Sequence, residues 1–171
     1  IIVGPGAKPN TQSREPIYVQ DLMDEWLGEA AARVILPITD PYVVHHGAFG
    51  SLVMVHLEDS GRVDEISQWL WGLSGVSEVY DRQLAACKLE LPADRIGDLT
   101  VLAGRNWVLG RTPEDHDLSN LQSGLRSHGG RYEEMVPMVL SRPLSAAYRQ
   151  LAEGDPRNYD IFDFTCNGSD R

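Results

Sequence analysis

Three stretches of the sequence carry residue types that do chemistry. The first is Arg126-Ser127-His128-Gly129-Gly130, which runs on through Glu133-Glu134-Met135 into the apolar run Val136-Pro137-Met138-Val139-Leu140. A histidine that leads through two glycines into a buried strand can hold its imidazole at the rim of a sheet, with the backbone kept clear around it. α/β enzymes often place a metal ligand or a general base in this way; the other reading is a plain turn residue. The second stretch is Asp115-His116-Asp117, whose ligand types suit a hard or borderline cation, although consecutive residues rarely ligate the same ion. The third is His45-His46, after Asp40-Pro41-Tyr42. In an extended segment these neighbours point to opposite faces and cannot chelate one ion together, so at most one of them lines a cleft.

None of the three is self-contained. His128 has no partner at zinc-finger or metalloprotease spacing, and there is no His-Glu-x-x-His and no paired cysteine motif. A metal site at His128 therefore takes its other ligands from elsewhere in the fold or from another chain. Gly4-Pro5-Gly6-Ala7-Lys8 resembles a phosphate loop but lacks both the full glycine spacing and the Lys-Ser/Thr that opens the following helix. A Gly-x-Ser-x-Gly elbow is also missing. Cys87 and Cys166 are too few and too far apart for a disulfide framework or a thiolate zinc site.

The elements that must position these residues follow from periodicity. Ile1–Val3 reads as a short buried strand, more the exit of a strand than the start of a protein, so either further chain upstream or a rearranged remnant is expected. Val19, Leu22, Met23 and Trp26-Leu27 recur at helical spacing, with Gly28 as the stop. Arg33–Ile38 reads as a strand, Pro41–His46 as a turn and short extended piece, and Ser51–Leu57 as the clearest strand. A turn at Asp59-Ser60-Gly61 leads to a helix from about Val63 to Leu73, with Ile66, Trp69, Leu70 and Leu73 on one face. Then come a strand at Val76–Tyr80, a short helix at Gln83–Leu89, a turn from Pro92 and a strand at Leu99–Leu102, with Gly104–Leu109 as a hairpin return. Arg111–Arg131 reads as a long polar connection, Val136–Ser141 as a strand and Tyr159–Phe164 as a closing packed element. The order predicts an α+β insert of about eighty residues between two pieces of a different, more parallel sheet.

Composition bounds the function. The 171 residues make one domain, or a domain with a subdomain, and 42% hydrophobic content is ample for a core. A net charge of −10 argues against nucleic acid and anionic membrane surfaces as partners. The longest apolar candidate, Val43–Leu57, is broken by His45, His46, Gly47, Gly50 and His56 and cannot span a membrane. The N-terminus shows no basic region followed by an apolar core, so no signal peptide is expected, and a soluble, cytoplasmic protein is the default.

Several long words carry a family resemblance. Arg33–Ala48, Asp94-Arg95-Ile96-Gly97-Asp98-Leu99, His116-Asp117-Leu118-Ser119, Leu125–Gly130 and Arg157–Asp163 closely resemble the C-terminal part of phosphonoacetate hydrolase, across nearly the whole chain. The resemblance implies an alkaline-phosphatase-like α/β fold and a two-zinc enzyme that cleaves phosphonoacetate to acetate and phosphate. It implies a threonine nucleophile and a cap domain inserted late in the chain. On that basis residues 18–110 are the α+β cap, while 1–17 and 111–171 flank it as pieces of the core sheet, the latter with the histidine loop.

The resemblance assigns zinc as cofactor and His128 as a zinc ligand, in a Ser-His-Gly-Gly word. It assigns no role to His45, His46, His116 or Asp117, and no catalytic or substrate-binding residue is named. Where the family has an Asp-His-Gly-Met pair of ligands before the cap, this chain reads Val3-Gly4-Pro5-Gly6-Ala7. The nucleophile and the remaining ligands belong to an N-terminal half that this sequence does not contain. A di-zinc site needs both ions to clamp the attacking and leaving oxygens, so the expectation is a phosphonate-hydrolase portion inactive as this chain alone. The alternative is a free-standing, catalytically degenerate domain that binds a small ligand or self-associates. An orphaned sheet edge would then be covered in a homodimer burying the strands around Val3 and Val136.

Overall fold

The computed structural model describes residues 8–9, 16–37, 49–116, 118, 126–127 and 129–169. The expected strand at Ile1–Val3 and the turn at Pro41–His46 lie outside them. The chain divides into two compact units, Ala7–Glu134 and a second that contains Met135–Arg171.

The larger unit is built on a four-stranded antiparallel sheet. Its strands are β3 (Ala32–Ile35), β4 (Leu52–Leu57), β5 (Val76–Asp81) and β6 (Leu99–Ala103), in the order β3-β4-β6-β5. Helices α1 (Val19–Leu27), α2 (Val63–Trp71) and α3 (Arg82–Leu89) complete it. The alternation of each strand sets one face toward the helices: Val34, Val55 and Leu99 form one cross-strand row, and Val53, Val101 and Val79 the next. Met23, Ile66 and Leu70 from the helices close this core, all at most 2% exposed. Trp26 and Trp69 stack at 4.5 Å over its edge, with the Arg62 guanidinium 5.7 Å from the Trp26 ring centroid.

α1 also closes the free edge of β3. Its Gln20 side chain accepts from the Val34 N–H at 2.8 Å and donates to the Ala32 carbonyl at 2.9 Å, as a neighbouring strand would. The helix ends at Gly28, as its sequence predicts, with φ of 91°.

Three smaller pairings complete this unit. β2 (Ile17–Tyr18) runs parallel to β7 (Leu109–Gly110), and Gly50 bridges Leu109 from the other side. β1 (Lys8–Pro9) pairs antiparallel with β8 (Arg126–Ser127), Lys8 opposite Ser127. The segment Gly104–Leu109 is thus not a hairpin return onto β6. It turns at Gly104–Trp107, where the Trp107 N–H reaches the Gly104 carbonyl at 3.1 Å, and then leaves for β2.

In the second unit, helices α4 (Ala146–Ala152) and α5 (Ile161–Asn167) pack through Tyr148, whose ring meets Phe164 edge-on at 5.6 Å. The Tyr148 hydroxyl donates to Asp163 at 3.1 Å. The closing element is a helix, with Ile161 and Phe164 buried; α4 has no counterpart in the sequence reading. The expected strand Val136–Ser141 is absent: these residues form no ladder, Pro137 has no N–H to give one, and Val139 is 60% exposed. The described elements make a fold of the α/β class.

The second face of the sheet contains a misfit. Thr100 is wholly buried in the row Ile35, Met54, Thr100, Tyr80, and its hydroxyl finds no hydrogen-bond partner among the described residues. An unsatisfied buried hydroxyl costs on the order of 1–3 kcal/mol. Thr100→Val is therefore expected to raise stability by about 1 kcal/mol, read as a higher urea midpoint at unchanged slope. A lower midpoint would show that the hydroxyl is satisfied.

Candidate functional site

Of the histidine and acidic candidates, His116 alone is placed in full; His45, His46, Asp117 and His128 lie outside the described residues. His116 is 4% exposed and stacks on Phe49 at 4.0 Å, with Tyr18 at 6.1 Å. Its Nε2 accepts the Arg111 N–H at 3.0 Å, so this nitrogen carries no proton and its lone pair is committed. Gly110 sits beneath the three rings, where a Cβ would stand 2.8 Å from Phe49, 2.9 Å from Tyr18 and 3.1 Å from His116. Only glycine lets the β2–β7 backbone approach this stack. Within this unit His116 acts as an aromatic, hydrogen-bonded keystone. Asp115 faces outward, paired with Arg111 at 3.2 Å and accepting from the Thr112 hydroxyl at 3.1 Å.

The word Asp94–Leu99 has a mechanical explanation. A Cβ on Gly97 would lie 2.5 Å from the Val55 carbonyl oxygen, so the chain crosses β4 at closest approach there. Asp98 then accepts from the Leu57 N–H and the Arg82 guanidinium, both at 2.8 Å, joining the end of β4 to the start of α3. Burial pushes the Asp98 carboxyl up, but the Leu57 N–H, the Arg82 guanidinium and nearby His56 outweigh it and hold its pKa below the usual aspartate value. The word Arg157–Asp163 is a helix start: Asp160 accepts the Arg157 N–H at 2.7 Å.

The residues on either side of His128 are described. On its N-terminal side β8 pairs with β1, which brings the backbone of Lys8 beside Ser127. On its C-terminal side Gly129 has φ of 84°, Gly130 is buried, and a 3-10 turn runs over Arg131–Glu133. Arg131 donates to Glu134 at 2.6 Å and makes longer contacts of 3.4 Å to Glu78 and to the Tyr80 hydroxyl, which itself donates to Glu78. The Glu134 carboxylate first, and Glu78 with it, raise the Arg131 pKa above its ordinary value.

Residue types alone did not single out this Arg131–Glu78–Tyr80 group. The sequence held a signal nonetheless: in a strand at Val76–Tyr80, polar residues at 78 and 80 share one face, and that face must meet something polar. Among the described residues, no group of three or more His, Cys, Asp or Glu is gathered to hold a metal ion. The described residues therefore hold no zinc ligand set on their own.

Asp98 supplies a test of this link between β4 and α3. A carboxyl with a lowered folded-state pKa contributes stability above the pKa of an unfolded aspartate, and that stability is lost as pH falls through the folded value. Asp98→Asn is expected to cost about 2 kcal/mol near neutral pH, with the gap to wild type closing in acid. A gap that stayed constant across that range would show that the charge contributes nothing.

No protein-family model matches the chain. Among solved structures, it is similar to phosphonoacetate hydrolase from Sinorhizobium meliloti 1021 in complex with phosphonoacetate, and to the same enzyme in complex with phosphonoformate. Each is 44% identical, with a TM-score of 0.73 over 94% of this chain. The chain spans 39% of the length of those enzyme chains. By sequence and by fold it is similar to part of phosphonoacetate hydrolase.

Proposed function

We propose that this chain is the C-terminal portion of a zinc-dependent phosphonoacetate hydrolase, in which residues 18–110 are the cap and His128 is a zinc ligand. The observation that carries the reading is the 44% identity across 94% of the chain to an enzyme solved with phosphonoacetate and with phosphonoformate. The substrate is then a small phosphonate, and the reaction is hydrolysis of its carbon–phosphorus bond to acetate and phosphate. Zinc would supply Lewis-acid stabilisation of the phosphoryl oxygens. The chain's own part is to carry the histidine loop on a rigid sheet and to shape the substrate's surroundings with the cap. With Gly4-Pro5 where the family has Asp-His, and no threonine nucleophile assigned within it, the chain alone does not turn over.

Metal content tests this reading. The purified chain is expected to hold less than one tightly bound zinc, to lose it in His128→Ala, and to release no phosphate from phosphonoacetate. Zinc content unchanged in His128→Ala would remove His128 from the ligand set. Two tight ions with phosphate release would overturn inactivity of the chain alone.

A second reading, a free-standing domain that self-associates, draws on one observation in the smaller unit: Met135 is 89% exposed, Phe162 75% and Val139 60%. Apolar side chains in such number call for a cover. Sedimentation at micromolar concentration is expected to give a concentration-dependent dimer on this reading, and a monomer throughout removes it.

A further inference from the structure

The smaller unit carries a reactive dipeptide at the end of α5. Of the asparagines in the sequence, Asn167 alone is followed by a glycine, Gly168. A glycine has no Cβ to shield its backbone nitrogen, so that nitrogen can reach the preceding side-chain carbonyl once the backbone turns toward it. Asn167 is the last residue of α5 and is exposed to water. Hydrogen bonds on both sides restrain it in the folded chain. Its Nδ2 donates to Asp163 Oδ1, one helical turn earlier, at 2.7 Å. The Gly168 N–H donates to the Phe164 carbonyl at 3.0 Å, and the Gly168 carbonyl accepts from the Ser145 N–H at 2.8 Å. Asp163 also accepts from the Tyr148 hydroxyl, so the carboxylate that holds Asn167 is itself tied to α4.

We propose that Asn167-Gly168 is a deamidation site, held closed by Asp163 and opened when the last turn of α5 frays. In the first step the Gly168 backbone nitrogen bonds to the Asn167 side-chain carbonyl carbon and gives up its proton. The bond from that carbon to Nδ2 breaks, and Nδ2 leaves with the proton as ammonia. Water then opens the five-membered imide. Attack on the side-chain carbonyl carbon breaks its bond to the Gly168 nitrogen and leaves an aspartate. Attack on the main-chain carbonyl carbon breaks the bond there and leaves an isoaspartate. The sum converts an amide and water to a carboxylate and ammonium. The folded geometry opposes the first step, because the Gly168 N–H is engaged with Phe164 and the backbone at Gly168 is still helical, with φ of −75° and ψ of −13°. The product does not restore the restraint. It has no N–H to offer Asp163, and its charge stands four residues after that carboxylate on one helix face, where like charges repel. It also sits at the negative end of the helix dipole. Conversion therefore loosens the end of α5 in one direction only. This inference is independent of the phosphonoacetate-hydrolase reading.

The test is peptide mapping by mass spectrometry on the full chain during incubation in mildly alkaline buffer. Wild type is expected to accumulate aspartate and isoaspartate at position 167 slowly, and Asn167→Gln to accumulate neither product. Asp163→Ala is expected to speed conversion roughly three- to tenfold, since it removes a hydrogen bond to a charged group. Tyr148→Phe leaves the contact between Asn167 and Asp163 in place and is expected to speed conversion less. Equal rates in wild type and Asp163→Ala would overturn the proposal. So would equal acceleration by Tyr148→Phe, since loosening of the whole unit would then set the rate. No conversion in wild type or in Asp163→Ala would remove the site itself. Hydrogen exchange reads the consequence: Asn167→Asp is expected to speed exchange at the Gly168 amide several-fold, with the Val101 amide of β6 as in wild type. Unchanged exchange at Gly168 would overturn the one-directional loosening.

Discussion

The structure depends on β6 being buried along its whole length. All five residues from Leu99 to Ala103 are inaccessible, on both faces of the strand. A strand buried on both sides forces cover on both sides of the sheet. The helices supply one layer, through Met23, Ile66 and Leu70. The other face is where Tyr80 and Glu78 flank Thr100 and Leu102, and there Arg131 reaches the sheet.

Edges impose the second constraint. A four-stranded sheet leaves β3 with unpaired backbone groups on its outer side, and Gln20 satisfies two of them from within a helix. The same residue donates to Asp24 at 2.9 Å, which keeps its amide in one orientation. A buried glutamine in an amphipathic helix looks like a defect when only hydrophobic pattern is considered. Its role becomes visible only when the helix is set against the strand twelve to fourteen residues on.

That contrast shows what was legible in the sequence. α1 and α2 were readable because their apolar residues repeat at the helical period and a glycine follows each, and the strands around Val53 and Val101 because they are short, β-branched apolar runs bounded by turn residues. Asp59 and Asp81 both cap from their side chains, at 2.9 Å to the Gly61 N–H and 2.8 Å to the Leu84 N–H. Val136–Leu140 looked alike as a short apolar run, but Pro137 inside it has no N–H to give a ladder, and such a run gives no strand unless a neighbour supplies one. Gly104–Leu109 failed because a two-residue parallel pair has no local signature at all; its partner, β2, lies some ninety residues earlier. His116 was legible as a residue of interest but not in its role, since only the fold brings Phe49 and Tyr18 against it.

The words that carry the family likeness separate by physical role. Gly97 and Asp98 are there because β4 passes too close for a Cβ and needs its last N–H answered. Asp160 is there to start a helix, and His116 to fill an aromatic stack over Gly110. Each of these would persist in a relative that had lost all catalytic power, because each serves folding of the part in which it sits. Likeness in such words therefore reports ancestry of the fold, and bears on chemistry only through a word that carries a residue with a proposed role, Ser127-His128-Gly129-Gly130. On its two sides the described chain is held by the β1 ladder at Arg126–Ser127 and by the contacts of Arg131. Loops carried on a rigid scaffold are where function concentrates, and on that ground a functional reading of this chain stands or falls with His128.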